Sequence, residues 1–334
     1  MKKIKYIVLI LTAIIIFAGI YAAVDINKDM KKNHLKETVT INIADGATGN
    51  SVIKSLKENG VIKYPTFFKM KAKSDGSITK FQPGDLTVEP NTSYEEIINS
   101  LKTTNRNMFK VTIPEGYEMR QIAEKFAETG VISTDDFYAA AKASDYDYKF
   151  LKDIPKRENE LEGYLYPDTY VFGHNASAHD IIKMMLDEFD NCFKEEYYQQ
   201  AENMNMTVDQ IVTLASIIER ETNVPEERAK VAGVFYNRIN SNMKLQSCAT
   251  VQYILKDRKA KLSNADVQID SKYNTYKYSG LPIGPIASAG EECIKAALYP
   301  EKTTAKYFVL GKDGKHVFSD TYQQHLAAKE KAES

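Results

Sequence analysis

Tryptophan is absent from this 334-residue chain, and cysteine, histidine and charge of either sign in excess are all scarce. The three cysteines, Cys192, Cys248 and Cys293, lie far apart and in no metal-ligand spacing. An odd number leaves at least one thiol unpaired, so they read as incidental, with a single bridge such as Cys192–Cys293 as the alternative. The five histidines (His34, His174, His179, His316 and His325) contain no HExxH-type pair, so neither a metal nor another cofactor is expected. A formal net charge of -1 supplies no basic field for a phosphate backbone, which argues against nucleic acid as a partner.

Tyrosine and phenylalanine are plentiful instead, at 21 and 14 residues. Most such rings fill cores, while some tyrosine faces suit a sugar-binding cleft. Hydrophobic residues at 43% and charged ones at 27% mark a globular chain, and its length predicts two or three units.

Tyr6 to Val24 form an uncharged apolar run, close to the roughly 20 residues that cross a hydrocarbon core. Lys2, Lys3 and Lys5 precede it, while Lys28, Lys31 and Lys32 follow, diluted by Asp25 and Asp29. That bias predicts a single-pass anchor with a cytoplasmic N-terminus. A cleaved signal peptide is the alternative, although no clean small-x-small site follows Ala18. Either reading puts the chain from about residue 36 onward outside the cytoplasm.

Two stretches, from Ile41 and from Val111, align without gaps at an offset of 70 residues. Gly46 matches Gly116, Val52 matches Ile122, and Gly60-Val61-Ile62 matches Gly130-Val131-Ile132. Each copy predicts a short strand, a glycine turn, an amphipathic helix ended by glycine and a second helix from Pro65 or Ser133. A looser continuation pairs Phe81–Gly84 with Leu161–Gly163 and the helix starting at Tyr94 with that at Ala178. The duplicated α+β unit resembles LysM-like modules, and it serves either glycan contact or a stalk. Asp45 and Glu115, at matching positions, are expected as turn or cap residues.

From Thr207 the character changes. Thr207-Val-Asp-Gln210 has the form of a capping box, and an apolar helix follows to Thr222. Its wheel predicts Thr213, Ser216 and Arg220 on a polar stripe opposite buried Ile211, Leu214 and Ile218. Glu219 and Glu221 flank the buried stripe about equally. A carboxylate there is poised for desolvation, which raises its pKa and lets it act as a general acid. An ion pair to Arg220 or Arg228 is the competing reading, and periodicity does not choose between the glutamates. Asn223, Pro225 and Glu226 predict the cap of a second helix, with Val231, Val234, Phe235 and Ile239 buried. Beyond lie Gln246, Thr250, Tyr253, Tyr273-Asn-Thr-Tyr276 and the stiff loop Gly280–Ile286, neutral groups that suit a sugar polymer.

These segments resemble the YceG-like endolytic murein transglycosylases. The resemblance is carried by Leu214–Thr222, Glu227-Arg228, Val231–Arg238, Met243–Gln246, Thr250-Val251, Tyr273–Tyr276, Gly280–Pro282 and Gly284–Ile286. The signature Leu161–Tyr170 and the closing segment from Tyr307 to His325 also fit. Cys248-Ala249 departs from the Asp-Pro or Asp-Ala pair common in that family.

The family resemblance implies an α+β chain with an N-terminal transmembrane helix, a duplicated LysM-like α+β module and a C-terminal α+β catalytic domain with a helical core. The expected divisions are 1–35 for tip, anchor and linker, 36–110 and 111–203 for the two repeats, and 204–334 for catalysis. It implies Glu221 as the catalytic acid/base, cutting the MurNAc–GlcNAc β-1,4 bond to leave 1,6-anhydro ends. Glu219, Arg228 and Asn237 become supporting residues. Gln246, Thr250, Asn274, Tyr276, Leu281, Pro282 and Gly284 are the substrate-binding candidates. Implied partners are peptidoglycan strands, the membrane and proteins of cell-wall synthesis. A non-catalytic peptidoglycan-binding scaffold and a hydrolytic muramidase, whose second carboxylate would be Glu219 or Asp168, are the alternatives.

Overall fold

The computed structural model describes residues 2–44, 46–103, 108–173, 176–259 and 261–334; the side chains of 2–11, 13–15, 108 and 333 also lie outside the description. Asp45 and His174 fall outside the described residues. By compactness the chain divides into two units, residues 1–109 with 172–175, and residues 110–171 with 176–334.

The first unit opens with helix α1 (Lys2–Lys31), followed by β1 (Val39–Ile43), α2 (Gly49–Glu58), α3 (Pro65–Ser74), β2 (Gly84–Val88) and α4 (Tyr94–Lys102). Strands β1 and β2 pair antiparallel, from Val39 opposite Val88 to Ile43 opposite Gly84. The two-residue alternation turns Ile41, Ile43, Leu86 and Val88 inward and leaves Thr40 and Thr87 bonded across the outer face at 3.2 Å. Val52, Ile53 and Leu56 of α2, Phe68 of α3 and Ile97, Ile98 and Leu101 of α4 complete this core. Gly60 ends the α2 segment at φ +70°, the left-handed conformation glycine adopts without steric cost. The last turn of α1 belongs to this packing. Buried Asp29 accepts from the Tyr94 hydroxyl and from the Lys63 amide at 2.9 Å. The expected anchor, Tyr6 to Val24, falls within α1, and many of its side chains lie outside the description. Among the described residues no helix is long and apolar enough to cross a membrane.

The same element order recurs in β3 (Met108–Thr112), α5 (Met119–Ala127), α6 (Thr134–Ala140), β4 (Thr169–Gly173) and α7 (Ala178–Cys192). Strand β3 pairs with β4. A strand–helix–helix–strand–helix order is thus present twice. The second copy differs by a long connection between α6 and β4 that carries the Leu161–Tyr170 signature. Glu115 sits in the turn before α5, as expected.

Helices α8 (Glu195–Asn203), α9 (Val208–Glu221), α10 (Arg228–Asn240), α11 (Cys248–Leu255) and α12 (Glu291–Leu298) follow, then β5 (Tyr307–Leu310), β6 (His316–Ser319) and α13 (Tyr322–Glu333). The Thr207–Gln210 capping box opens α9, and α9 packs along α12. Two expectations need correction. Thr213 and Ser216 face no solvent, because α9 is buried all round from Ile211 to Ile218; the Ser216 hydroxyl donates to Thr213 O at 2.7 Å and accepts from the Ile286 amide at 3.0 Å. Nor does Asn223 cap α10. Pro225–Glu227 form a 3-10 turn before α10 starts at Arg228, and the Thr222 hydroxyl accepts the Val224 amide instead, at 3.1 Å.

Candidate active site

Glu221 is the last residue of α9, where the helix runs out and the chain turns at Thr222. Its half-buried carboxylate opens onto a cavity of about 300 Å³ lined also by Phe235, Arg238, Gln246, Ser247, Tyr276 and His325. The Ser247 hydroxyl donates to the carboxylate. Burial pushes the Glu221 pKa above the usual carboxylate range, against the opposing pull of Ser247, His316, Arg238 and Arg220. Desolvation therefore outweighs hydrogen bonding and charge, the balance a general acid requires.

The two glutamates separate geometrically. Glu219 does not line this cavity; it accepts the Gly290 amide at 3.0 Å. The arginines are engaged elsewhere. Arg220 donates to Gly116 O at 3.1 Å and stands 3.7 Å from Glu118, while Arg228 lies 3.9 Å from Glu115. Among the described residues lining the cavity, Glu221 is the only carboxylate. Asp168, exposed at the start of β4, is not among them.

The remaining candidates divide by position. Gln246 and Tyr276 line the cavity. Gln246 is exposed and holds φ +51°, a conformation that costs a non-glycine residue about 1 kcal/mol, fixed by its amide bond to Thr275 O at 3.1 Å. The Tyr276 hydroxyl lies 3.0 Å from Cys248 Sγ. Thr250 and Asn274 are buried beneath. Thr250 bonds Ser247 O at 2.8 Å and Thr275 Oγ1 at 2.9 Å, and Asn274 donates to Val267 O and Ile269 O at 3.1 and 2.8 Å. Leu281, Pro282 and Gly284 are outside the cavity lining. Gly284 lies against the Arg157 guanidinium so closely that a Cβ would meet it at 2.6 Å. Asn237 holds the segment before β5 through Thr303 O at 2.7 Å and Ala305 O at 2.9 Å.

Ser247, Arg238 and His325 are not singled out by periodicity, although each lies inside or beside a motif that carries the family resemblance. Ser247 occupies the N-cap position of α11 without capping it. Arg238 donates to Lys306 O at 2.6 Å and Leu245 O at 2.7 Å, which ties two cavity walls together. The His325 ring stacks on Tyr307 at 5.3 Å, and burial followed by the Arg238 charge lowers its pKa, which favours the neutral ring. Behind the cavity, Glu227 bonds His316 Nδ1 at 2.7 Å and accepts from the Thr222 hydroxyl at 3.3 Å, fixing the turn just beyond Glu221.

A family model described as the YceG-like family matches residues 41–331. The chain is 35% identical over 308 residues to a Bacillus subtilis endolytic murein transglycosylase, covering 89% of this chain and 85% of that protein. It is 29% identical over 318 residues to the endolytic murein transglycosylase of Streptococcus pneumoniae serotype 2, covering 87% of this chain and 57% of that protein. A crystal structure of a YceG-like protein from Listeria monocytogenes matches with a TM-score of 0.61 at 31% identity, over 88% of this chain and 99% of that one. The chain belongs to the YceG-like family.

Proposed function

We propose that this chain is a peptidoglycan lytic transglycosylase that cuts inside glycan strands, with Glu221 as acid and then base. The observation that carries this reading is a cavity whose lone carboxylate among the described residues, Glu221, is desolvated and free of any ion pair with arginine. Hydrolytic glycosidases generally need two carboxylates, one of them to activate water or attack the anomeric carbon. A lytic transglycosylase needs one. Protonated Glu221 gives its proton to the glycosidic oxygen between MurNAc and GlcNAc as that bond breaks. The resulting carboxylate then takes the proton of the muramoyl 6-hydroxyl, whose oxygen closes on its own anomeric carbon to form a 1,6-anhydro end. The nucleophile is intramolecular, which supplies a large proximity advantage. Gln246 and Tyr276 hold the sugar at the cavity wall, while Thr250, Asn274 and the Gly280–Ile286 loop keep that wall in place.

Side chains of Ile16, Phe17, Ile20, Tyr21 and Val24 stand exposed on α1, which supports a membrane anchor, and the lysines that precede the apolar run favour a cytoplasmic N-terminus with the catalytic unit on the other side. The duplicated strand–helix module fits a LysM-like role in setting the enzyme on nascent strands, beside proteins of cell-wall synthesis. Mass spectrometry of digested uncrosslinked strands tests the reaction. Anhydro ends from the wild type, with at least a thousandfold loss in Glu221→Gln, are expected. Reducing ends would establish a muramidase, unchanged strands a binding protein, and undiminished anhydro ends from Glu221→Gln would remove the residue from its role.

A further inference from the structure

A second cavity, of about 200 Å³, lies in the same unit and shares no lining residue with the Glu221 cavity. Its walls carry the rings of Tyr138, Tyr253 and Tyr273, with Asn159, Glu162 and Arg120 among them. Two elements reach both cavities. Helix α11 gives Cys248 to the first and Tyr253 to the second, and the 273–276 turn gives Tyr276 to the first and Tyr273 to the second. Five residues along a helix advance about 7.5 Å, a span that a short stretch of glycan covers. Arg220, adjacent to Glu221, adds a third link, because Glu118 at 3.7 Å from it also lines the second cavity.

The chemistry inside is that of a sugar site. Tyr253 and Tyr273 meet at a ring-centroid distance of 4.9 Å, and Tyr138 stands exposed. Aromatic faces of this kind stack on the apolar side of a sugar ring. The polar floor is bonded but not fully charged. Tyr253 donates to one Glu162 oxygen at 3.0 Å, the Met119 amide donates to the other at 2.9 Å, and Asn159 reaches the Tyr253 hydroxyl at 3.5 Å. Burial pushes the Glu162 pKa up to about 7, so near neutral pH it is only partly ionised. The Glu118–Arg120 ion pair at 2.8 Å offsets its own charges, and Glu158 and Lys256, also in the lining, bring one charge of each sign. Such a surface favours a neutral ring bearing hydroxyl and N-acetyl groups over a phosphate or a cation, and its volume suits one ring.

We propose that this cavity is a second glycan subsite, which holds another sugar of the strand that Glu221 cuts. The proposal rests on the transglycosylase reading of the Glu221 cavity. Gripping one strand at two separated points adds binding energy only for a glycan long enough to reach both cavities.

Tyr138→Ala and Tyr273→Ala in the full-length protein test it, on long uncrosslinked strands with and without their peptide stems. Losing one stacking ring is expected to raise KM on both substrates about tenfold, with kcat changing by less than about threefold. Exposed Tyr138 keeps the test valid if Tyr273→Ala fails to fold. An unchanged KM for Tyr138→Ala overturns the subsite, while the transglycosylase reading stands as long as the wild type yields anhydro ends. A KM effect confined to stem-bearing strands also overturns it, since a peptide would then be the occupant. A wild type that yields no anhydro ends removes the parent reading and the subsite with it.

Discussion

At the scale of the residue, Ser247 is the most informative neighbour of Glu221. A serine at an N-cap position ordinarily accepts an amide from the first helical turn, but this hydroxyl donates to the Glu221 carboxylate instead. The bond favours the charged form and so holds the Glu221 pKa below the level burial alone would set. Ser247→Ala removes that pull, and the pKa rises. Because Glu221 must be protonated to act as the acid, the alkaline limb of kcat/KM against pH is expected to move upward, by about one pH unit for one charge-assisted hydrogen bond. A downward or absent shift would show that Ser247 does not set the titration. Glu221 itself was half legible. Apolar spacing along α9 places both Glu219 and Glu221 at the edge of its buried face, and nothing local distinguishes them. The distinction is tertiary: Gly290 occupies one, and the other meets residues from α10, α11, β5 and α13.

At the scale of the element, α9 is held by segments far from it in sequence. Arg157 grips Asp209 in its first turn through two bonds, at 2.8 and 2.9 Å, and the Tyr164 hydroxyl donates to the same carboxylate at 2.9 Å. Arg157 also reaches Ile283 O at 3.3 Å, which locks the Leu161–Tyr170 signature, α9 and the Gly280–Ile286 loop into one block. That explains why the wheel misjudged Thr213 and Ser216. The loop covers the face that helical spacing alone leaves open to water, and its Ile286 amide satisfies the serine. Periodicity reads a helix's own pattern but not the distant loop that packs on it. Gly163 is the tightest joint of the block, at φ +86° with Pro285 and Val212 where a Cβ would stand. Gly163→Ala combines left-handed strain with overpacking, each costing about 1–3 kcal/mol. Denaturant unfolding is expected to show a loss of about 2–6 kcal/mol. A loss under about 1 kcal/mol would mean that the block yields at little cost.

At the scale of the whole molecule, the repeat was the most legible feature, since a 70-residue offset in sequence reappears as two copies of one element order. Less legible was where the N-terminal helix joins the first unit. Charge and hydropathy divide the chain near residue 35, yet the end of α1 and the turn after it contribute buried polar groups to the core of that unit. Asp29 accepts from Tyr94 and from the Lys63 amide. Asn33 donates to Glu89 O at 2.8 Å and accepts the Asn91 amide at 2.9 Å. Removing residues 1–35 takes the acceptor from the buried Tyr94 hydroxyl, which keeps only the bond it accepts from the Tyr64 amide at 3.2 Å, and frees the Asn91 turn; each buried group left without its partner costs about 1–3 kcal/mol. A protein beginning at Asp25 keeps these bonds and sheds the apolar run. It is therefore expected to be more stable than one beginning at Lys36 by about 3 kcal/mol or more in denaturant unfolding of the first unit. Equal stability of the two truncated forms would show that α1 is a tether and contributes nothing to the fold it precedes.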